Sequence, residues 1–200
     1  MSDVAIDRLW PKPAEGLSDD EIIAGYAPPR PGWLRLSFVE SLDGAIEHDG
    51  RSGALGDAAD RRVFDLLRWP ADAILVGAGT VRIEGYSGPL LGERGMAWRR
   101  AHGMSDTPEL RVVGRAADVP GIAAVRTLGY PLVTCEGGPT LAGSLLAAGL
   151  VDELCLTLAA RFEGAGSGRL TGEVAAAVQV MELAQVLRSG STLLLRYVMA

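Results

Sequence analysis

Two short stretches place glycine where a backbone could wrap an anion. In "ILVGAGTV", Gly77, Gly79 and Thr80 follow an apolar run; in "VTCEGGPT", Gly137, Gly138, Pro139 and Thr140 follow another, with Leu141 next. Glycine lets the main chain approach a ligand closely, and the N–H groups and dipole at a helix start favour negative charge. The chemistry such turns could do is to hold the phosphates of a nucleotide at the carboxyl ends of the strands of an open sheet. Tight strand–helix connections use glycine for geometry alone, so one turn is weak evidence and two in one small domain are stronger. Neither completes G-x-G-x-x-G or a Walker A loop, which argues against a standard Rossmann site and a P-loop NTPase.

Carboxylates and guanidinium groups lie close to these turns. Glu136 precedes the glycine pair at the mouth of a strand, either as a reacting carboxylate or as an acid complementing a helix dipole. Arg68 and Arg82 flank the first turn. Each is either a surface residue or the fork that a phosphorylated ligand needs. Asp43, in "SLDG", is by default a turn former, and otherwise an acid or a ligand for a ring N–H. His48 and His102 read as solvated loop residues without a metal-ligand partner at useful spacing. No Ser-His-Asp or Cys-His set can be assembled, the zinc deaminase signature is absent, and no metal site is expected. Cys135 and Cys155 fall in apolar runs and read as core residues of a reducing compartment.

These residues need elements to position them. Ser18 and Glu21 have capping-box spacing for a short helix in an otherwise irregular N-terminal arm, residues 1–30, which "APPRPG" stops. Residues 31–200 read as the main domain. "WLRLSFVE" and "DAILVG" are buried strands, and Asp57 caps a helix running to about Arg68. Residues 85–108 show no period and read as loop. "ELRVV" is a short strand and "VPGIAAVRTLG" a brief helix. Pro139 suits the first position of a helix reaching about Ala148, with Gly149 just past its end. The strand "ELCLTLAARF" follows, which implies a parallel pair across that helix. The tail folds back at Ser189-Gly190 as an antiparallel hairpin. The sum is an α/β fold with a mixed, mostly parallel sheet and helices on both faces.

Bulk properties exclude some functions. Nineteen basic against 25 acidic residues give a net charge of −6, which argues against broad nucleic-acid binding. No apolar run reaches the ~18 residues needed to span a bilayer. The N-terminus has acids and no apolar core of a signal peptide, so a cytoplasmic location is expected.

"SFVESLDGAI", "LLRWPADAILVGAGTVRIEGYSG" and "VTCEGGPTLAGSLLAAGLVDELCLTLA" together resemble the riboflavin-pathway pyrimidine reductases, which have a dihydrofolate-reductase-like fold. "VRIEGYSG" is most similar to the free-standing actinobacterial type. The resemblance implies NADPH as cofactor, and a phosphorylated pyrimidine whose ribosyl group is reduced to ribityl. It also implies a homodimer. It places Gly77, Gly79, Thr80 and Glu84 at the cofactor, and Gly137 and Gly138 through Ser144, including Pro139, Thr140 and Leu141, at its pyrophosphate. Ser52, Arg68 and Glu136 fall at the substrate, and Asp43 and Glu136 are the acid candidates. Two departures stand out. "GALGD" replaces a bulky segment after Ser52 that carries a Trp contact to the cofactor. Gly114 to Gly129 spans in sixteen residues what relatives cover with about fifty more. A pterin-type reductase on the same fold, and a non-catalytic nucleotide-binding relative, are the alternative readings.

Overall fold

The computed structural model describes residues 4–86, 89–114, 126–127, 129–164, 168–174 and 178–200. The centre of the fold is strand β2, Trp33–Ser41, in which Trp33 through Ser37 are all buried. Strand β5, Leu132–Cys135, and strand β6, Glu153–Ala159, lie parallel to it on either side. Beyond β5 come β3, Ala73–Gly77, and the edge strand β4, Glu109–Val113, both parallel. Beyond β6 the pairing turns antiparallel, through β8, Thr192–Met199, and β7, Met181–Ser189, to the edge strand β1, Asp7–Trp10. The order is β1-β7-β8-β6-β2-β5-β3-β4.

Helices cover both faces. On one, α1 (Asp19–Gly25) and α2 (Ala58–Arg68) bury Ile22, Val63, Leu66 and Leu67 against Leu187 and Leu194 of the hairpin. On the other, α5 (Pro139–Ala147) buries Leu141, Ala142 and Leu145 against Leu34, Leu36, Leu75 and Val133. Alternation along β2 divides the two sets: Leu34 and Leu36 meet α5, while Arg35 turns to the opposite face. There its buried guanidinium pairs with Glu153 at 2.7 Å, and that carboxylate also accepts from Trp33 Nε1 at 2.6 Å and Arg196 at 3.0 Å. A charge buried so deeply is tolerable because its partners hold it on several sides.

The helix starts have the expected chemistry. Ser18 and Glu21 form the reciprocal capping box of α1. Asp57 accepts the N–H groups of Ala59 and Asp60, at 2.8 and 2.9 Å, and starts α2. The C-terminal hairpin is also in place.

Three expectations change. The N-terminal arm is not wholly irregular, since residues 7–10 add a strand to β7. Four half-exposed residues on a sheet edge give too short an alternation to read. Residues 85–108 are not all loop: α4 spans Glu93–Ala101. Gly92 offers no side-chain cap, and the helix buries a guanidinium in place of an apolar stripe. Arg99, 1% exposed, donates to the carbonyls of Trp69, Ala71 and Ser105 at 2.6–2.7 Å. Finally, β5 and β6 are parallel, as their crossover helix requires, but β2 runs between them. The expected brief helix at 119–129 falls largely outside the described residues, as does most of the short 114–129 bridge.

Candidate active site

A cavity of about 500 Å³ opens at the carboxyl ends of β2, β3 and β5, within the range of small-molecule sites. Phe38 of β2, Asp60, Phe64 and Arg68 of α2, and the turn 136–139 form its walls. Thr80 and Glu84 enter from α3, Ala78–Glu84.

The two glycine turns are laced together. Gly77 N–H donates to the Gly137 carbonyl at 2.8 Å. Gly77 precedes α3 and Gly138 precedes α5, and no side chain caps either helix. Both positions of the second turn favour glycine, the first by its backbone angle and the second by close approach. Gly137 has φ +102°, and a Cβ on Gly138 would stand 2.8 Å from Thr80 Oγ1. The Gly137–Gly138 peptide is cis. Of the residues expected at the cofactor, Thr80, Glu84, Gly137, Gly138 and Pro139 line the cavity. Gly77 backs onto Gly138, and Gly79 stands beside it on α3. Thr140 is exposed on the first turn of α5, while the Leu141 side chain is buried in the core, leaving only its backbone to face a ligand.

Glu136 is the hub of the inner wall. Its backbone continues β5, with its N–H bonded to Leu75 O at 2.9 Å. Its fully buried carboxylate receives Arg68 as a two-pronged fork, Nε to Oε1 at 2.6 Å and Nη2 to Oε2 at 2.7 Å. Tyr86 Oη donates to Oε2 at 2.8 Å. Arg68 Nη1 reaches Leu90 O at 3.1 Å, and its guanidinium lies 4.5 Å from the Phe64 ring centre. Burial works against the Arg68 charge, but the hydrogen bonds and charge of Glu136 more than offset it and raise its pKa. Burial, with the neighbouring carboxylate, raises the Tyr86 phenol well above its usual value. The Arg68 fork is therefore turned onto Glu136.

Ser52 sits at the exposed mouth, where its N–H and Oγ both donate to Glu84 Oε1 at 3.0 Å, so these two expected residues meet. Asp43 lies outside the cavity lining. Its carboxylate accepts from Ser41 Oγ and from the N–H groups of Glu163 and Gly164, 3.1 and 2.8 Å away. These bonds, led by the Ser41 hydroxyl, lower its pKa to about 2. It ties the loop after β2 to the loop after β6, as a turn former would. His48 joins the same tie through Glu163 at 2.6 Å, and His102 stacks on Trp98. Arg82 is exposed on α3.

Sequence reasoning missed Asp60, Arg61, Phe64 and Tyr86, all of which line the cavity. Asp60, Phe64 and Arg68 repeat every four residues and therefore share one face of α2. That spacing was a readable signal. Tyr86 had none beyond its place after Glu84.

Among the described residues, no cluster of His, Cys, Asp or Glu could hold a metal ion, and no helix is long and apolar enough to cross a membrane. A family model described as the RibD C-terminal domain matches residues 32–128 and 122–195. A pyrimidine reductase-like protein from Corynebacterium diphtheriae superimposes with a TM-score of 0.78 at 21% identity, covering 92% of this chain and 99% of that one. The Thermotoga maritima deaminase/5-amino-6-(5-phosphoribosylamino)uracil reductase gives 0.59 at 20% identity, over 86% of this chain and 57% of that one. The Saccharomyces cerevisiae riboflavin biosynthesis reductase Rib7 gives 0.52 at 17% identity, over 88% and 94%. The chain thus spans little more than half of the Thermotoga protein. No curated protein sequence matches it. At these identities the likeness fixes the dihydrofolate-reductase-like fold.

Proposed function

The chain belongs to the RibD C-terminal domain family, and on that premise we propose that it is an NADPH-dependent reductase of a phosphorylated ribosylaminopyrimidine, converting the ribosyl group to ribityl. The observation that carries this reading is one cavity walled at once by a glycine turn that starts a helix and by the Arg68–Glu136–Tyr86 cluster.

The residues present fit a dinucleotide. An uncapped helix start at Gly138 and the narrow cradle between Gly138 and Thr80 suit pyrophosphate, which a Cβ at Gly138 would crowd. The N–H groups of Thr140 and Leu141 and the Thr80 hydroxyl are the groups assigned to hold it. The cofactor, when bound, supplies a hydride from C4 of its nicotinamide to the sugar C1′. The protein's own residues bind and orient. Glu136, fixed on both oxygens by Arg68 and Tyr86, presents an immobile polar wall to the pyrimidine. Phe64 gives the ring an apolar face. Arg61, which lines the same cavity with Nη1 on the Gly56 carbonyl, is the cation assigned to the substrate phosphate while Arg68 stays on Glu136. The Ser52–Glu84 contact gathers the mouth. Asp43 in this reading latches two loops and does not touch the reacting atoms. We assign the protein to the cytoplasm and expect a homodimer.

The test is NADPH oxidation by the purified protein with 5-amino-6-(5-phosphoribosylamino)uracil, and with dihydrofolate as comparison. Turnover of the first alone is expected. Turnover of dihydrofolate alone, or NADPH consumption with neither, would overturn the assignment.

A further inference from the structure

Hydride reduction of a glycosyl carbon also consumes a proton, and the two acids expected from sequence are poorly placed to give one. Asp43 lies outside the cavity lining. Glu136 has both oxygens occupied by Arg68 and Tyr86. Glu84 accepts two bonds from Ser52 on one oxygen at the mouth.

Asp60 differs in kind. It stands in the first turn of α2 and lines the cavity beside Phe64. Its carboxyl group lies so close over residue 56 that a Cβ there would be 1.9 Å from Oδ2, so Gly56 is what makes room for it. Thr157 of β6 and Ser37 of β2 lie against its side chain. The charged groups that bear on it are Arg61 and Asp57, both from the start of its own helix. Arg61 Nη1 is turned to the Gly56 carbonyl at 3.1 Å, and Asp57 spends its carboxylate on Thr192 and the helix N–H groups. Partial burial is the largest influence and raises the Asp60 pKa, as does the neighbouring Asp57 carboxylate; Thr157 and Arg61 only moderate it.

We propose that Asp60 is the catalytic acid of this site, the carboxyl group that hands a proton to the ribosyl ring oxygen as the sugar opens. This rests on the reductase reading above. Asp60 gives its proton to the ring oxygen as the C1′–O bond breaks, and that oxygen leaves as a hydroxyl of the open chain. The carbon gains the hydride and its electron pair, NADPH becomes NADP⁺, and water returns a proton to the emptied carboxylate. One substrate, one NADPH and one H⁺ give one ribityl product and one NADP⁺.

Two measurements test it. In the unliganded protein, ¹³C-carboxyl NMR, with Asp60 identified by its loss in Asp60→Asn, is expected to show this carboxyl titrating above the other aspartates. In single-turnover assays the wild-type rate is expected to fall as pH rises through that same value. Asp60→Asn is expected to lose on the order of 10²-fold, the usual worth of a positioned acid, and to lose the pH dependence, while Asp60→Glu restores part of both. An ordinary Asp60 titration, or an Asn variant with wild-type rate and profile, overturns the assignment and leaves the reductase reading standing. A wild-type protein that transfers no hydride brings down both.

Discussion

Replacing Glu136 by Gln leaves the size of the side chain and removes its charge. In the native protein that carboxylate has no exposed side-chain surface and accepts three hydrogen bonds of 2.6–2.8 Å, two from Arg68, whose own side chain is 17% exposed. Breaking a buried pair by removing one partner costs about 3–5 kcal/mol, because the other charge stays behind uncompensated. Gln can still accept from Tyr86 and one guanidinium N–H, so about 3 kcal/mol is the expected loss. For a chain of this size each kcal/mol lowers Tm by roughly 2–4 °C, so a fall of about 6–12 °C should accompany it. Arg68→Met strands the carboxylate and should cost as much. The double variant buries no charge and should cost less than the two singles combined, by about 2 kcal/mol or more. Urea unfolding of the four proteins, with equal m-values as the check on a common unfolded state, measures this coupling. Single-variant losses below about 1 kcal/mol, or additivity within about 0.5 kcal/mol, would show that the fork and the carboxylate are not the unit described.

Other outcomes follow from single positions. Asp43→Asn should lower stability at neutral pH; because the native pKa is depressed to about 2, the benefit is complete above the unfolded value of about 3.9 and vanishes as pH falls toward 2, so thermal melts of variant and wild type should converge in acid. The same variant should keep its rate of hydride transfer, measured in a single turnover. Gly137→Ala forces a side chain into φ +102° and should cost about 1–3 kcal/mol in urea unfolding and weaken NADPH binding measured by fluorescence. Gly95→Ala would place a Cβ 2.6 Å from Trp69 Nε1 and should cost about 1–3 kcal/mol by overpacking, with NADPH affinity unchanged because α4 does not line the cavity.

What could be read from the chain was what local chemistry dictates. Asp57 and Ser18 announce their helices because a cap must supply an acceptor at one defined position, and Pro139 and Gly149 bracket α5 for the same kind of reason. The glycine turns were visible because few other residues fit them. Helix α4 was not, because it is anchored by Arg99 on main-chain carbonyls, and a binary pattern registers a buried Arg as solvent-facing. The site divided along the same line. Residues 136–139 were found as one motif, but the Arg68 fork onto Glu136 joins residues far apart in the chain, and reading Arg68 as a phosphate ligand could not anticipate that its charge was already committed. Asp60 looked like any acid in a first helical turn until the sheet placed Thr157 and Ser37 beside it.

The strand order also bears on how the protein is made. The central strand β2 is synthesised long before its partners, since Trp33 pairs with Leu132 and Arg35 with Glu153, and β1 waits for Arg188. Contacts so remote in sequence form late, since chain entropy must be lost before any pairing repays it. Until β6 appears, β2 is an apolar strand with one edge open, and its Arg35 is a cation without its counter-ion. A nascent chain halted before Glu153 should therefore stay sensitive to protease and bind holdase chaperones. Resistance should arrive in one step once the C-terminal hairpin has cleared the exit tunnel.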